Sequence, residues 1–169
     1  MKKIAKFEKV SKENFISAWI GVFDKDKELI EQAFNQLKLP KRATIGSAGY
    51  DFFAPDSFFI KPGESIIIPT GIRVSIEMGW VLKIYPRSGL GFKYRLQLNN
   101  TVGIIDSDYY HSDNEGHIFI KLTNDNREGK SISIAKGDAF CQGIFVQYGI
   151  TYDDDTIDLR NGGFGSTDK

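Results

Sequence analysis

The sequence predicts an all-β chain, an antiparallel sandwich or barrel, with a helical insertion near its N-terminus. Two periodicities carry that expectation. From Lys41 onward, short apolar and β-branched runs recur every ~8–12 residues between turns rich in Pro and Gly, the spacing of antiparallel strands. Before them, Phe15, Trp19, Phe23, Ile30, Phe34 and Leu37 fall on one helical stripe, with Lys, Asp and Glu opposite. The length of 169 residues suits one domain, residues 1–169, with a core of its own.

In chain order, Lys3 to Val10 mixes apolar and charged residues as a short strand does. Ser11 is placed to cap a helix, and the stripe from residue 12 to 37 follows it. Gly21 inside that stripe costs about 1 kcal/mol relative to Ala, which predicts two helical pieces, and Pro40 closes them. An aromatic stripe of this kind packs on the domain body. Strands are then expected over Ser65–Ile68, Gly71–Ile76, Val81–Tyr85, Tyr94–Leu98, Ile118–Leu122, Ser131–Ile134 and Phe140–Tyr148. Pro62-Gly63, Pro69-Thr70-Gly71 and Met78-Gly79 mark turns among them. Residues 149–169 form a C-terminal arm: an acidic run at Asp153–Asp155, then a polar, Gly-rich end with the composition of a frayed tail.

Composition narrows the function classes. Lys+Arg and Asp+Glu balance at 22 each, so no basic surplus favours nucleic acid or an anionic membrane. One cysteine rules out an internal disulfide framework, and with only two histidines a zinc site is not expected. No apolar run approaches the ~20 residues of a membrane span. The expectation is a soluble, cytoplasmic protein.

Five stretches carry possible chemistry. Gly103-Ile104-Ile105-Asp106-Ser107-Asp108-Tyr109-Tyr110 runs from a strand end directly into two carboxylates and two aromatics. An ionised carboxylate leaving a core needs water, a donor or a cation; alone, the stretch reads first as a solvated hairpin loop, and second as a base and a ring held over a ligand. Ser47-Ala48-Gly49-Tyr50-Asp51 sets small residues beside an acid, as many turns do. Pro86-Arg87-Ser88-Gly89-Leu90-Gly91 follows a strand with a guanidinium, a hydroxyl and flexible backbone, a competent phosphate cradle. Gly137-Asp138-Ala139-Phe140-Cys141-Gln142 is a turn entering a strand, with Gln142 polar in an apolar setting. Arg160-Asn161-Gly162-Gly163-Phe164-Gly165-Ser166-Thr167 joins a cation, glycines and two hydroxyls to an aromatic with no core to enter. That makes sense if the ring stacks on a base while backbone and Arg160 grip phosphates.

In order and spacing these stretches are similar to the five motifs of the trimeric dUTP diphosphatases, and the resemblance covers roughly residues 41–169. It implies a jelly-roll-like antiparallel β barrel, a homotrimer with active sites at subunit interfaces, and Mg²⁺-assisted hydrolysis of dUTP to dUMP and pyrophosphate. Such an activity limits uracil incorporation into DNA and supplies dUMP. Asp106 would deprotonate the water that attacks the α-phosphorus, as a positioned carboxylate can. Tyr109 would wall off the deoxyribose against a 2′-hydroxyl. Asn100, with Gly103 of the hairpin, would read uracil through hydrogen bonds, which can reject analogues strongly. Arg87, Ser88, Gly89 and Gln142 match phosphate-binding positions, and Asp51 would hold a water on Mg²⁺ carried mainly by the triphosphate. Arg160, Gly165, Ser166 and Thr167 would close on the phosphates, with Phe164 over the base.

The chain also departs from that pattern. After Tyr109 the family usually has one residue and then Gly, whereas here Gly116 follows only after Tyr110–Glu115, a hairpin about five residues longer. The usual Arg of the fourth motif is Ala139, Arg160 stands one residue nearer Phe164 than usual, and the last Gly of the fifth motif is Asp168. The helical segment lies outside the pattern altogether. Two other functions are weighed against dUTP hydrolysis. A dCTP deaminase of the same superfamily needs a glutamate where this chain has Lys121, and a lysine cannot shuttle its proton. A non-catalytic nucleotide-sensing or protein-binding module would use the long hairpin and helix as its surface.

Overall fold

The computed structural model describes residues 2–23, 25–158 and 160. Its N-terminal part follows the residues that predict it. β1 (Ala5–Lys9) leads to Ser11, whose extended backbone and side chain cap α1 (Lys12–Ile20) by accepting from the Asn14 N–H. Gly21 ends α1, and α2 (Lys27–Asn35) resumes the stripe. The single segment of residues 12–37 is thus two short helices.

The strands that follow are β2 (Lys41–Arg42), β3 (Tyr50–Phe53), β4 (Phe58–Ile60), β5 (Ser65–Pro69), β6 (Ile72–Ile76) and β7 (Trp80–Pro86). Then come α3 (Ser88–Tyr94), β8 (Leu96–Leu98), β9 (Gly103–Ile105), a 3₁₀ helix at Ser107–His111, β10 (Phe119–Asn124), β11 (Ile132–Ile134) and β12 (Ala139–Gln147). One expected strand start is corrected: Tyr94 ends α3. Gly89 and Gly91 break the apolar period by which a helix is read.

The chain is mostly β. Among the described residues the strands form four antiparallel sheets, β1-β6, β5-β10-β8, β11-β4 and β2-β3-β12-β7-β9, without hydrogen-bonded closure into a ring. One core joins them: Phe52, Ile60, Ile68, Val74, Leu82, Ile84, Leu98, Ile120, Leu122, Ile132 and Phe140 are all buried in a single cluster drawn from every sheet. Each such side chain contributes about 1.5–3 kcal/mol when fully buried, so shared packing, rather than strand pairing, holds the sheets together.

The helices bury a second, smaller cluster of Val10, Phe15, Trp19, Ile30 and Ala33. It seats on the β body at Pro69–Gly71. Trp19 Nε1 donates to the Pro69 carbonyl at 3.0 Å. Gly71 has φ +72°, and a Cβ there would collide with Leu37 Cδ1 and stand 2.9 Å from Phe15 Cδ2. Only glycine combines that backbone with so close an approach.

Candidate active site

Adjacent strands gather the first, second and fourth motifs. In the sheet, Asp51 of β3 pairs with Gln142 of β12, and Gln142 pairs with Tyr85 of β7. Arg87, just past β7, reaches back so that Nε lies 3.3 Å from Asp51 Oδ1. Gln142 Nε2 donates to the Pro86 carbonyl at 3.3 Å, and Gly49 lies so close that a Cβ would stand 2.7 Å from Gln142 Oε1. Ser88 and Gly89 open α3 and are exposed. A guanidinium, an amide, a hydroxyl and one carboxylate thus share one sheet end, a set suited to a metal-bound polyphosphate.

No three His, Cys, Asp or Glu side chains gather to hold a metal among the described residues. A single carboxylate still fits Mg²⁺, which keeps several waters and takes one or two carboxylates plus substrate phosphates. Asp51 is the group here that would hold it.

The third motif builds a second cluster. β9 ends at Ile105, and Asp106 sits at the N-cap of the 3₁₀ helix with extended backbone. Arg160 grips this turn: Nη2 lies 2.7 Å from Asp106 Oδ2 and Nε 3.0 Å from Asp108 Oδ1. Its guanidinium carbon also stands 5.7 Å from the Tyr109 ring centre. A cavity of about 400 Å³ adjoins the turn, lined by Leu98, Asn100, Gly103, Ile104, Ile105 and Lys121 among others. Its size and largely apolar lining suit a small ring with a few polar anchors.

Tyr109 is only 5 % exposed. Its hydroxyl donates to the His117 carbonyl and accepts from Asn114 Nδ2, both at 2.8 Å. Burial pushes its phenol above the usual range, against the Asn114 hydrogen bond and the Arg160 charge. Tyr110 is clasped as well: the Arg73 guanidinium lies 3.6 Å over its ring, and its hydroxyl donates to Glu8 Oε2 at 2.5 Å.

The long hairpin now has a shape. Gly116 has φ +69°, and a Cβ there would stand 2.8 Å from both Tyr109 O and Tyr110 Cα. The segment Tyr110–Glu115 is therefore an excursion that returns to the backbone of Tyr109, where Gly116 passes closely. The sequence flagged its length, but Asn114, Glu115 and His117 as neighbours of the site were missed. Asn114 and His117 reach Tyr109 over only five and eight residues, but the partners that hold all three, Ser11 and Asn14, stand about a hundred residues away in the chain, beyond any local periodicity.

The two clusters do not meet within one chain. β7 pairs with β9 so that Leu82 faces Ile105 and Ile84 faces Gly103. Asp106 therefore lies beyond the Leu82 end of β7, while Arg87 lies beyond its Pro86 end, roughly 20 Å away along the strand. Phe164, Gly165, Ser166 and Thr167 lie outside the described residues.

Comparison with known proteins is consistent in kind. The dUTPase family profile matches residues 35–168. The deoxyuridine 5′-triphosphate nucleotidohydrolase of Lactococcus lactis is 42% identical over 134 residues, 78% of this chain and 88% of that one. The crystal structure of a dUTPase from Streptococcus mutans superposes with TM-score 0.63 at 30% identity, over 86% of this chain and 97% of its own. A mutant dUTPase from phage phi11 of S. aureus, described with a structural Mg(II) ion, shares the fold at TM-score 0.63 and 20% identity, over 92% of this chain and 98% of its own.

Proposed function

The chain belongs to the dUTPase family, and we propose that it works as a dUTP nucleotidohydrolase through Asp106, in sites shared between the subunits of a homotrimer. The observation that carries the reading is one continuous turn. β9 lines the cavity with Gly103–Ile105, then delivers Asp106 and the immobilised Tyr109 at its edge.

In this reading uracil occupies the cavity against Asn100 and the β9 backbone, and Tyr109 walls the sugar. A water beside Asp106 gives its proton to the carboxylate as its oxygen bonds the α-phosphorus. The bond from the α-phosphorus to the bridging oxygen breaks, and pyrophosphate leaves with both electrons. Arg87, Ser88, Gly89 and Gln142 take the phosphates, Arg160 with Gly165, Ser166 and Thr167 closes over them, and Phe164 stacks on the uracil. Mg²⁺, held by the triphosphate and a water on Asp51, would neutralise phosphate charge. What these residues supply is positioning and charge, as phosphoryl transfer requires.

The ~20 Å between Asp106 and Arg87 along β7 supports the shared site, because no dUTP-sized ligand could bring both clusters of one chain onto adjacent phosphates. A second copy supplies the missing half. The mainly β architecture around one core supports the jelly-roll-like barrel and a single domain. Lys121 at the cavity wall weighs against deamination, which needs a carboxylate there. The test is pyrophosphate release with Mg²⁺ from dUTP, dTTP, dCTP and UTP, with ammonia followed for dCTP. Release from dUTP alone is expected; ammonia from dCTP, or no reaction with any substrate, overturns the assignment.

A further inference from the structure

The two departures from the family pattern, the helical unit and the long excursion after Tyr109, touch each other. Glu115 accepts from Ser11 twice, from N at 2.7 Å and from Oγ at 2.6 Å. Asn14 of α1 donates from Nδ2 to the Asn114 carbonyl at 3.1 Å. Its other amide atom, Oδ1, lies 2.8 Å from His117 Nδ1. Because the Gly71 N–H donates to His117 Nε2 at 2.8 Å, the imidazole hydrogen sits on Nδ1 and points at Asn14. The helix cap, the excursion and the buried imidazole are therefore one hydrogen-bonded block.

That block ends on Tyr109. The Asn114 backbone is held by α1, while its side chain donates to the Tyr109 hydroxyl at 2.8 Å and its Oδ1 accepts from the Gly116 N–H at 3.2 Å. The His117 carbonyl takes the hydroxyl's own hydrogen. Both hydrogen-bonding capacities of the phenol are thus filled from residues that α1 holds in place. A ring anchored at its oxygen by a donor and an acceptor can turn or tilt very little.

We infer that the N-terminal helices and residues 112–117 form a brace that fixes the Tyr109 ring, with Asn114 as a positioning residue for discrimination between deoxyribose and ribose triphosphates. The inference rests on the reading of Tyr109 as the sugar wall of a dUTP site. A wall rejects one extra hydroxyl only if it cannot yield by a fraction of an ångström, so the brace acts on selectivity more than on the chemical step.

The experiment compares kcat/KM for dUTP and UTP in the full-length protein and in Asn114→Asp, Asn14→Ala, Tyr109→Phe and the Asn114→Asp/Tyr109→Phe double variant. Aspartate at 114 keeps the acceptor for Gly116 but has no N–H for Tyr109, so the turn is spared while the phenol, still with acceptors for its own hydrogen, loses its only donor from residue 114. Asn114→Asp is expected to lower the dUTP/UTP preference roughly five- to tenfold, the size of one buried hydrogen bond. Asn14→Ala, acting at one remove from a half-buried position, should lower it about twofold to threefold. In the Tyr109→Phe background, Asn114→Asp should change the preference no further, since both act through one hydroxyl. An unchanged preference in Asn114→Asp and Asn14→Ala, or an equal loss in the Tyr109→Phe background, overturns the brace. A parent protein that does not prefer dUTP overturns the sugar-wall reading itself, and the brace with it.

Discussion

Arg160 holds Asp106 by a 2.7 Å contact between Nη2 and Oδ2, so the base of the proposed reaction is covered by a cation from the C-terminal arm. The Asp106 side chain is 45 % exposed and that of Arg160 18 %, and an ion pair open to water on its carboxylate side is worth about 1 kcal/mol. Bound nucleotide can displace it easily, and the guanidinium released is then free to meet phosphate. Arg160→Ala is therefore expected to lower kcat/KM for dUTP roughly tenfold to a hundredfold, the loss of a charge-assisted hydrogen bond. Turnover that rises instead would show that Arg160 serves only as a cover.

Asp106 itself is tested by an isosteric change. Asp106→Asn keeps the size and the N-cap geometry but cannot take the water's proton. Turnover should fall by about 10²–10⁴, the usual contribution of a general base, while calorimetry still registers dUTP binding. Hydrolysis at the parent rate would remove Asp106 from the mechanism.

Metal removal probes the other cluster. With EDTA in excess, pyrophosphate release should fall sharply and return on adding Mg²⁺, because the phosphate charge would otherwise face few cations. Asp51→Asn should raise the Mg²⁺ concentration needed for half-maximal rate. It also leaves Arg87 without its carboxylate partner at 3.3 Å, so Asp51→Glu serves as the control that keeps the charge. An identical Mg²⁺ dependence in all three proteins would detach Asp51 from the metal.

How much of this was legible in the sequence differs by region. The Ser11 cap and the stripe through Phe15, Trp19 and Ile30 are local patterns, and the structure follows them. The break at Gly21 is local too. β2, of two residues, is too short for any periodicity to register. The motif residues Asp51, Arg87 and Gln142 could be chosen by order and spacing, and the pairing of β3, β12 and β7 brings them together. What could not be read is the link from Asn14 to Asn114 and His117, 100 and 103 residues apart. It depends on where α1 lands on the β body, and no short-range signal encodes that. For the same reason the helix read from sequence as packing, a subunit contact or a binding surface, without a tie to Tyr109.

Gly71 tests that landing. Gly71→Ala combines a strained φ of +72° with a new methyl group driven against Leu37 and Phe15. Together these should cost about 2–4 kcal/mol, seen as a lower urea midpoint with an unchanged slope. A midpoint within error of the parent would mean that the helices do not bear on Gly71.

His117 makes stability depend on pH in a stated direction. Its side chain is wholly buried, and burial lowers its pKa from 6.5 to about 4, only partly offset by the Glu115 charge. The unfolded chain therefore binds a proton on this residue at a pH where the folded chain does not. Stability is full above pH 6.5, falls as the pH drops from 6.5 toward 4, and loses nothing more from this group below that. The total is on the order of 3 kcal/mol. Protonation must also cost the Gly71 hydrogen bond, because that N–H already fills the Nε2 lone pair. His117→Gln cannot titrate, so urea midpoints measured between pH 6.5 and pH 4.5 should fall more steeply in the parent than in the variant, a window below the ordinary histidine pKa of 6.5. Parallel slopes would show that the imidazole reaches solvent. A steeper parent slope would place a pH-sensitive group inside the block that anchors Tyr109, so the dUTP/UTP preference of the folded enzyme should hold down to about pH 4.5 and fall only as the pH approaches 4, where the folded imidazole takes its proton.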